Sequence, residues 1–333
     1  MISNEKVRRL NAVSNARGII SAVAMDQRRS LRGMIARAAG APPDSITDAQ
    51  LVEFKTSVSR CLSPHASAIL LDPEYGLEAA SSKASGCGLL LTYEADGYEN
   101  PRPHRMLALM PHVSVERLRD LGADAVKILL SYTPDGDAAS NDEKCAWIER
   151  IGAECQALDM PFLLEPVVYD PRGADPRSVD FARRKPDLVV RTMEEFSKPV
   201  YRVDVLKVEF PVVAAYVEGS RVYSGHSCYD RREALAWYAR ADSVARCPYI
   251  YLSAGAEITE FLTSLEMAAE AGARFSGVLC GRAAWQDGIP HFVRSVDAFH
   301  RWLENEGVRN VRQIGEILKA ATSWREFGGG DLV

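Results

Sequence analysis

Two lysines in this chain of 333 residues sit where an amine can be made reactive. Lys207 lies in Asp204-Val205-Leu206-Lys207-Val208-Glu209, whose period-two alternation puts Leu206 and Val208 on one face and Lys207 and Glu209 on the other. The apolar face of such a segment meets a hydrophobic layer, so Lys207 points away from it. An unpaired ammonium there is costly to bury, and burial favours the neutral amine that attacks a ketone. Lys127, in Ala125-Val126-Lys127-Ile128-Leu129-Leu130, repeats the pattern. A cation beside a lysine nucleophile lowers its pKa and activates it. Glu165 ends Phe162-Leu163-Leu164-Glu165, where it could relay protons to a bound hydroxyl, and Asp26 follows the first apolar run, where it could hold the lysines electrostatically. The chemistry to expect is imine formation with a ketone substrate. The competing reading is a buried ion-pair network of Lys127, Glu165, Lys207 and Glu209 that only fills space; two lysines flanking a carboxylate weigh against it.

A second set of residues could hold an anion. Ser253 and Gly255 in Leu252-Ser253-Ala254-Gly255, and Gly281 and Arg282 in Leu279-Cys280-Gly281-Arg282, combine exposed backbone with a guanidinium. Gln27, Arg28 and Arg29 form another donor cluster that could take a distal anion; a solvated helix start would look the same. The six histidines show no H-x-H or H-E-x-x-H spacing and none closes an apolar run, so no metal is expected. Neither G-x-x-x-x-G-K-[ST] nor G-x-G-x-x-G occurs, and no cofactor is expected. Cys280 has no histidine base beside it and reads as packing.

These residues need elements to position them. Eight short apolar runs, at 19–25, 68–71, 88–92, 125–130, 162–164, 203–208, 249–252 and 277–279, each end in polar or turn residues. Between them lie amphipathic stretches such as 143–158 and 258–271, with apolar positions at helical spacing. Eight strands alternating with helices in one chain of this length predict an α/β fold, a (β/α)8 TIM barrel, as a single domain over 1–333. A short N-terminal helix over 1–16 precedes it and a helical tail over about 302–333 follows it. In such a barrel chemistry belongs to the C-terminal ends of the strands, and phosphate to the loops after strands seven and eight.

Composition agrees with a globular enzyme. The chain is 47% hydrophobic and 26% charged, with a net charge of -5. That balance offers no basic stripe for nucleic acid and no run long enough to span a membrane. Seven scattered cysteines without a C-x-x-C pair suit a reducing cytoplasm.

Taken together, GIISAVAMDQR, SAILLDPEYGL, GLLLTYEADGY, GADAVKILLSY, DVLKVEFPV, YIYLSAG, GVLCGRAAW and ATSW identify a resemblance over nearly the whole chain. The sequence resembles the class I tagatose 1,6-bisphosphate aldolases. That resemblance implies a Schiff base on Lys207, proton handling by Glu165, and supporting roles for Lys127 and Asp26. It gives Ser253 and Arg282 the substrate phosphate, and it implies a metal-free homo-oligomer, dimeric or larger. The substrate would be a phosphorylated ketose cleaved to dihydroxyacetone phosphate and D-glyceraldehyde 3-phosphate, with Gln27 and Arg28 at its far end. Pro166-Val167-Val168, after Glu165, looks more like the sulfofructose-phosphate aldolases, which makes 6-deoxy-6-sulfofructose 1-phosphate the rival substrate. A barrel kept as a non-catalytic sugar-phosphate sensor is the rival from outside enzymes; the intact Lys207, Glu165 and Lys127 set speaks against it.

Overall fold

The computed structural model describes residues 2–96 and 105–327. Eight parallel strands close into a barrel in chain order: β1 (Ile20–Met25), β2 (Ala68–Leu71), β3 (Gly88–Thr92), β4 (Ala125–Tyr132), β5 (Phe162–Val168), β6 (Val205–Val208), β7 (Tyr249–Leu252) and β8 (Gly277–Cys280). Its helices are α1 (Asn4–Ala12), α2 (Arg29–Ala39), α3 (Asp48–Leu62), α4 (Leu77–Ser81), α5 (Val115–Asp120), α6 (Ala138–Ala157), α7 (Val179–Phe196), α8 (Arg231–Val244) and α9 (Ile258–Glu270). Short α10 (Arg282–Trp285), α11 (Ile289–Arg294) and α12 (Val296–Trp302) lead through a π turn to α13 (Val308–Ile317).

Alternation along the strands produces two cores. Val23, Ile69, Leu91, Val126, Leu164, Leu206, Tyr251 and Val278 pack with the helices. Their neighbours of opposite parity, including Ala22, Leu70, Leu90, Ala125, Leu163, Val205, Ile250 and Leu279, form a separate cluster inside the barrel. Leu10 and Val13 from the N-terminal segment and Trp324 from the tail join this inner cluster, closing one end of the barrel. The seam between β1 and β8 depends on Gly277, which adopts a φ of +141° and pairs with Ile20. A Cβ at Gly277 would lie 1.9 Å from the Ile20 carbonyl oxygen.

Several boundaries differ from the expectation. Strand β4 runs two residues beyond 130 and β5 four beyond 164, because the two pair through seven consecutive positions, Val126↔Phe162 to Tyr132↔Val168. Polar and proline residues predict earlier ends for both strands, yet a ladder on one side keeps them extended. On the other side of β5, pairing with β6 stops after Leu163↔Val205 and Leu164↔Leu206. Phe162 O accepts from Asp204 N, so even-numbered residues of β5 face β6, and Pro166 has no N–H to continue that ladder. Strand β6 begins at Val205, not 203, since the Asp204 carboxylate instead takes the Lys6 ammonium at 2.7 Å and Phe162 N at 2.8 Å. The N-terminal helix is shorter than 1–16: Ser3 caps it, and it stops at Ala12 before Val13 enters the inner cluster. In the tail, α13 is helical as expected, whereas the glycine run 328–330 lies outside the described residues.

Candidate active site

The inner parity that places Ala125, Leu163 and Val205 in the barrel carries Lys127, Glu165 and Lys207, two residues further on, to its C-terminal end. There Glu165 bridges the lysines: Oε1 lies 2.8 Å from Lys207 Nζ and Oε2 2.7 Å from Lys127 Nζ. Lys127 is completely buried and also donates to Asp26 Oδ2 at 2.9 Å and Glu94 Oε1 at 2.8 Å. Burial opposes its charge, but Asp26, Glu165 and Glu94 together outweigh that and push its pKa well up, so Lys127 is the permanent cation of the group. Asp26 is likewise penalised by burial, yet Lys127 and Lys207 hold its carboxyl below the usual range. For Glu94 burial wins over the attraction of Lys127, and its pKa is raised.

Glu94 is a site residue that the sequence reading does not single out. It follows β3, and its signal is parity: Leu90, Thr92 and Glu94 continue the inward set two residues past the strand end. Its Oε2, and Oε1 of Gln27, are buried without hydrogen-bond partners among the described residues. Buried acceptors without partners in the protein are suited to the hydroxyls of a ligand.

The anion-binding candidates converge beside this group. Gln27 donates to Asp26 Oδ1 at 3.1 Å, and a Cβ on Gly281 would lie 3.2 Å from Gln27 Nε2. Gly281 N points to Ser253 Oγ at 3.4 Å. Gly255, with a φ of +79°, lies so close to Arg282 that a Cβ would sit 2.7 Å from the guanidinium carbon. The loops after β7 and β8 and the end of β1 thus form one corner next to the lysines. Burial pushes the Cys280 thiol up to about 12, as expected of a packing residue.

Arg28 and Glu209 differ from the expectation. The Arg28 side chain is buried, and its guanidinium is engaged by Glu74 Oε2 and Glu94 O, both at 2.9 Å. Arg28 also lines, with Arg29, Arg32, Arg37 and Arg282, a cleft of about 840 Å³. Glu209 does not join the lysines. It lies one residue past β6, where strand alternation no longer sets direction, accepts Val168 N at 2.8 Å and pairs with Lys185 of α7 at 3.2 Å. It thereby takes the β5 donor that follows the break at Pro166. Among the described residues no group of three or more His, Cys, Asp or Glu side chains is spaced to hold a metal ion.

Residues 20–287 match the family described as DeoC/LacD family aldolase. The chain belongs to this family of aldolases. As one of them it is a carbon–carbon lyase. This DeoC/LacD aldolase is 44% identical over 319 residues to tagatose 1,6-diphosphate aldolase 1 of Enterococcus faecalis, covering 96% of each chain. It is 44% identical over 326 residues to tagatose 1,6-diphosphate aldolase of Staphylococcus aureus, covering 97% of this chain and 98% of the relative. An archaeal fructose-1,6-bisphosphate aldolase, solved with its catalytic lysine bound to the carbinolamine of its substrate, shares the fold at a TM-score of 0.58 and 17% identity, over 94% of this chain and 99% of that one.

Proposed function

We propose that this aldolase cleaves D-tagatose 1,6-bisphosphate to dihydroxyacetone phosphate and D-glyceraldehyde 3-phosphate through an imine on Lys207. The observation that carries the reading is Glu165 held between two buried amines, 2.8 Å from Lys207 and 2.7 Å from Lys127, at the catalytic end of the barrel. The full-length likeness to tagatose 1,6-diphosphate aldolases supports the choice of substrate.

In this mechanism the Lys207 amine adds to the C2 ketone, and loss of water leaves a protonated imine. Glu165 takes the proton of the C4 hydroxyl, the C3–C4 bond breaks, and its electron pair moves into the iminium to give an enamine while the aldehyde departs. Protonation at C3 and hydrolysis of the imine release dihydroxyacetone phosphate and restore the amine. Lys127 stays cationic and offsets the charge of Glu165 and Asp26. Ser253, Gly255, Gly281 and Arg282 receive the C1 phosphate. Gln27 and the outer face of Arg28 serve the distal end.

Borohydride reduction in the presence of dihydroxyacetone phosphate, followed by peptide mass mapping, tests the reading. A permanent adduct is expected on Lys207 and none in Lys207→Arg; an adduct elsewhere, or none, refutes it. Pro166 favours one second reading, 6-deoxy-6-sulfofructose 1-phosphate, and a larger kcat/KM for that sulfonate than for tagatose 1,6-bisphosphate would establish it.

A further inference from the structure

Outside the barrel wall, Lys55 of α3 is completely buried, as is its partner Asp72 just after β2. Its ammonium spends all three protons: on Met25 O and Gln27 O, both at 2.7 Å, and on Asp72 Oδ2 at 2.5 Å. The two carbonyls belong to the residues on either side of Asp26. Asp72 in turn accepts Glu74 N at 3.0 Å and Tyr75 N at 2.8 Å through Oδ1, and Glu74 holds Arg28, which holds the Glu94 carbonyl. A closed circuit therefore runs from Lys55 through the ends of β1, β2 and β3 to the two carboxylates, Asp26 and Glu94, that flank Lys127.

The geometry points to Lys55 as a positioning residue for the lyase reaction, a buried cation that fixes the peptide turn presenting Asp26 to Lys127 and Lys207. A buried ion pair is a poor way to gain stability, since desolvation cancels most of its attraction. Aiming three charge-assisted donors at one turn does something an apolar pair of equal volume cannot: it sets the direction of two carbonyls and hence of the side chain between them. The charged groups facing Asp26 are Lys127 of β4, Lys207 of β6, Lys55 of α3 and, after β3, Glu94; Lys55 adds to the attraction that keeps Asp26 ionised.

The inference rests on the Schiff-base reading, and the test separates the two. The variant is Lys55→Met with Asp72→Asn, which removes both charges while the Asn oxygen keeps its backbone donors. Borohydride trapping on Lys207 in the unaltered enzyme checks the Schiff base by itself. In the double variant kcat is expected to fall ~30-fold with KM changed less than about threefold, since a small misplacement acts on the reacting geometry more than on binding. In an Asp26→Asn background the same two substitutions should lower kcat by no more than about threefold, because they act through a group already removed. A kcat within about twofold of the parent, an undiminished loss in the Asp26→Asn background, or failure of the double variant to fold would each make the pair a stabilising device only and overturn the assignment.

Discussion

At the scale of single residues, the site is a contest between burial and charge that different groups resolve differently. Glu165 is the group asked to move a proton, and Glu165→Gln keeps its size and removes that capacity. Its kcat for ketose cleavage should fall between about 10²- and 10⁴-fold while adduct formation with dihydroxyacetone phosphate persists. Single-turnover trapping separates the two. Lys144 shows burial with no carboxylate to compensate it, only the Tyr169 ring, whose centroid lies 5.2 Å from the ammonium. Completely buried on α6, it has the Tyr169 hydroxyl at 3.4 Å, and its pKa is lowered to about 8 by burial and by Arg105. Below pH 8 both folded and unfolded chains carry its proton, and the folded state bears the full cost of the buried charge. Between pH 8 and the ordinary lysine value near 10.5 the folded state has released the proton while the unfolded chain still binds it, so stability rises with pH there. Lys144→Met should therefore stabilise the protein by about 2 kcal/mol at pH 7, with the advantage shrinking towards pH 10. Urea unfolding at the two pH values reads the difference.

At the scale of elements, strand parity does most of the positioning, and the breaks in pairing do the rest. The β4–β5 ladder holds Lys127 and Glu165 in fixed relation, while the β5–β6 ladder ends at Pro166 and hands Val168 N to Glu209. The β1–β8 seam has no such slack. Gly277→Ala would force a Cβ into the Ile20 carbonyl at a φ that side chains rarely adopt. It should cost about 3 kcal/mol or more, read as a lower urea midpoint, with kcat of the folded fraction less affected.

At the scale of the molecule, the two ends of the barrel do different work. The N-terminal end is closed by Leu10 and Val13 and by Trp324, whose indole donates to Ser14 Oγ at 3.2 Å and whose backbone N–H donates to Gly18 O at 3.1 Å. The other end carries the lysines. Trp324→Ala should thus cost about 3–5 kcal/mol through the cavity it leaves, yet change kcat by no more than about twofold at a temperature where the variant is folded. Thermal melting and steady-state assays on one preparation check both halves. No helix among the described residues is long and apolar enough to cross a membrane.

The amino-acid sequence alone determined the barrel and the direction of Lys127, Glu165 and Lys207, because strand parity is a local rule and a charge among apolar neighbours can face only one way. It also brought Ser253, Gly255, Gly281 and Arg282 to one corner through the order of the strands. Tertiary structure decided what local rules do not reach. Glu94 and Glu209 lie just beyond strand ends, where parity carries the first inward and fails for the second. Arg28 is a donor in sequence but is already held by Glu74 and the Glu94 carbonyl. Lys55 reads as one more helical lysine until α3 folds back on β1. Each of these outcomes depends on partners 17 or more positions away, and such distances are set by how loops and helices pack, not by any pattern along the chain.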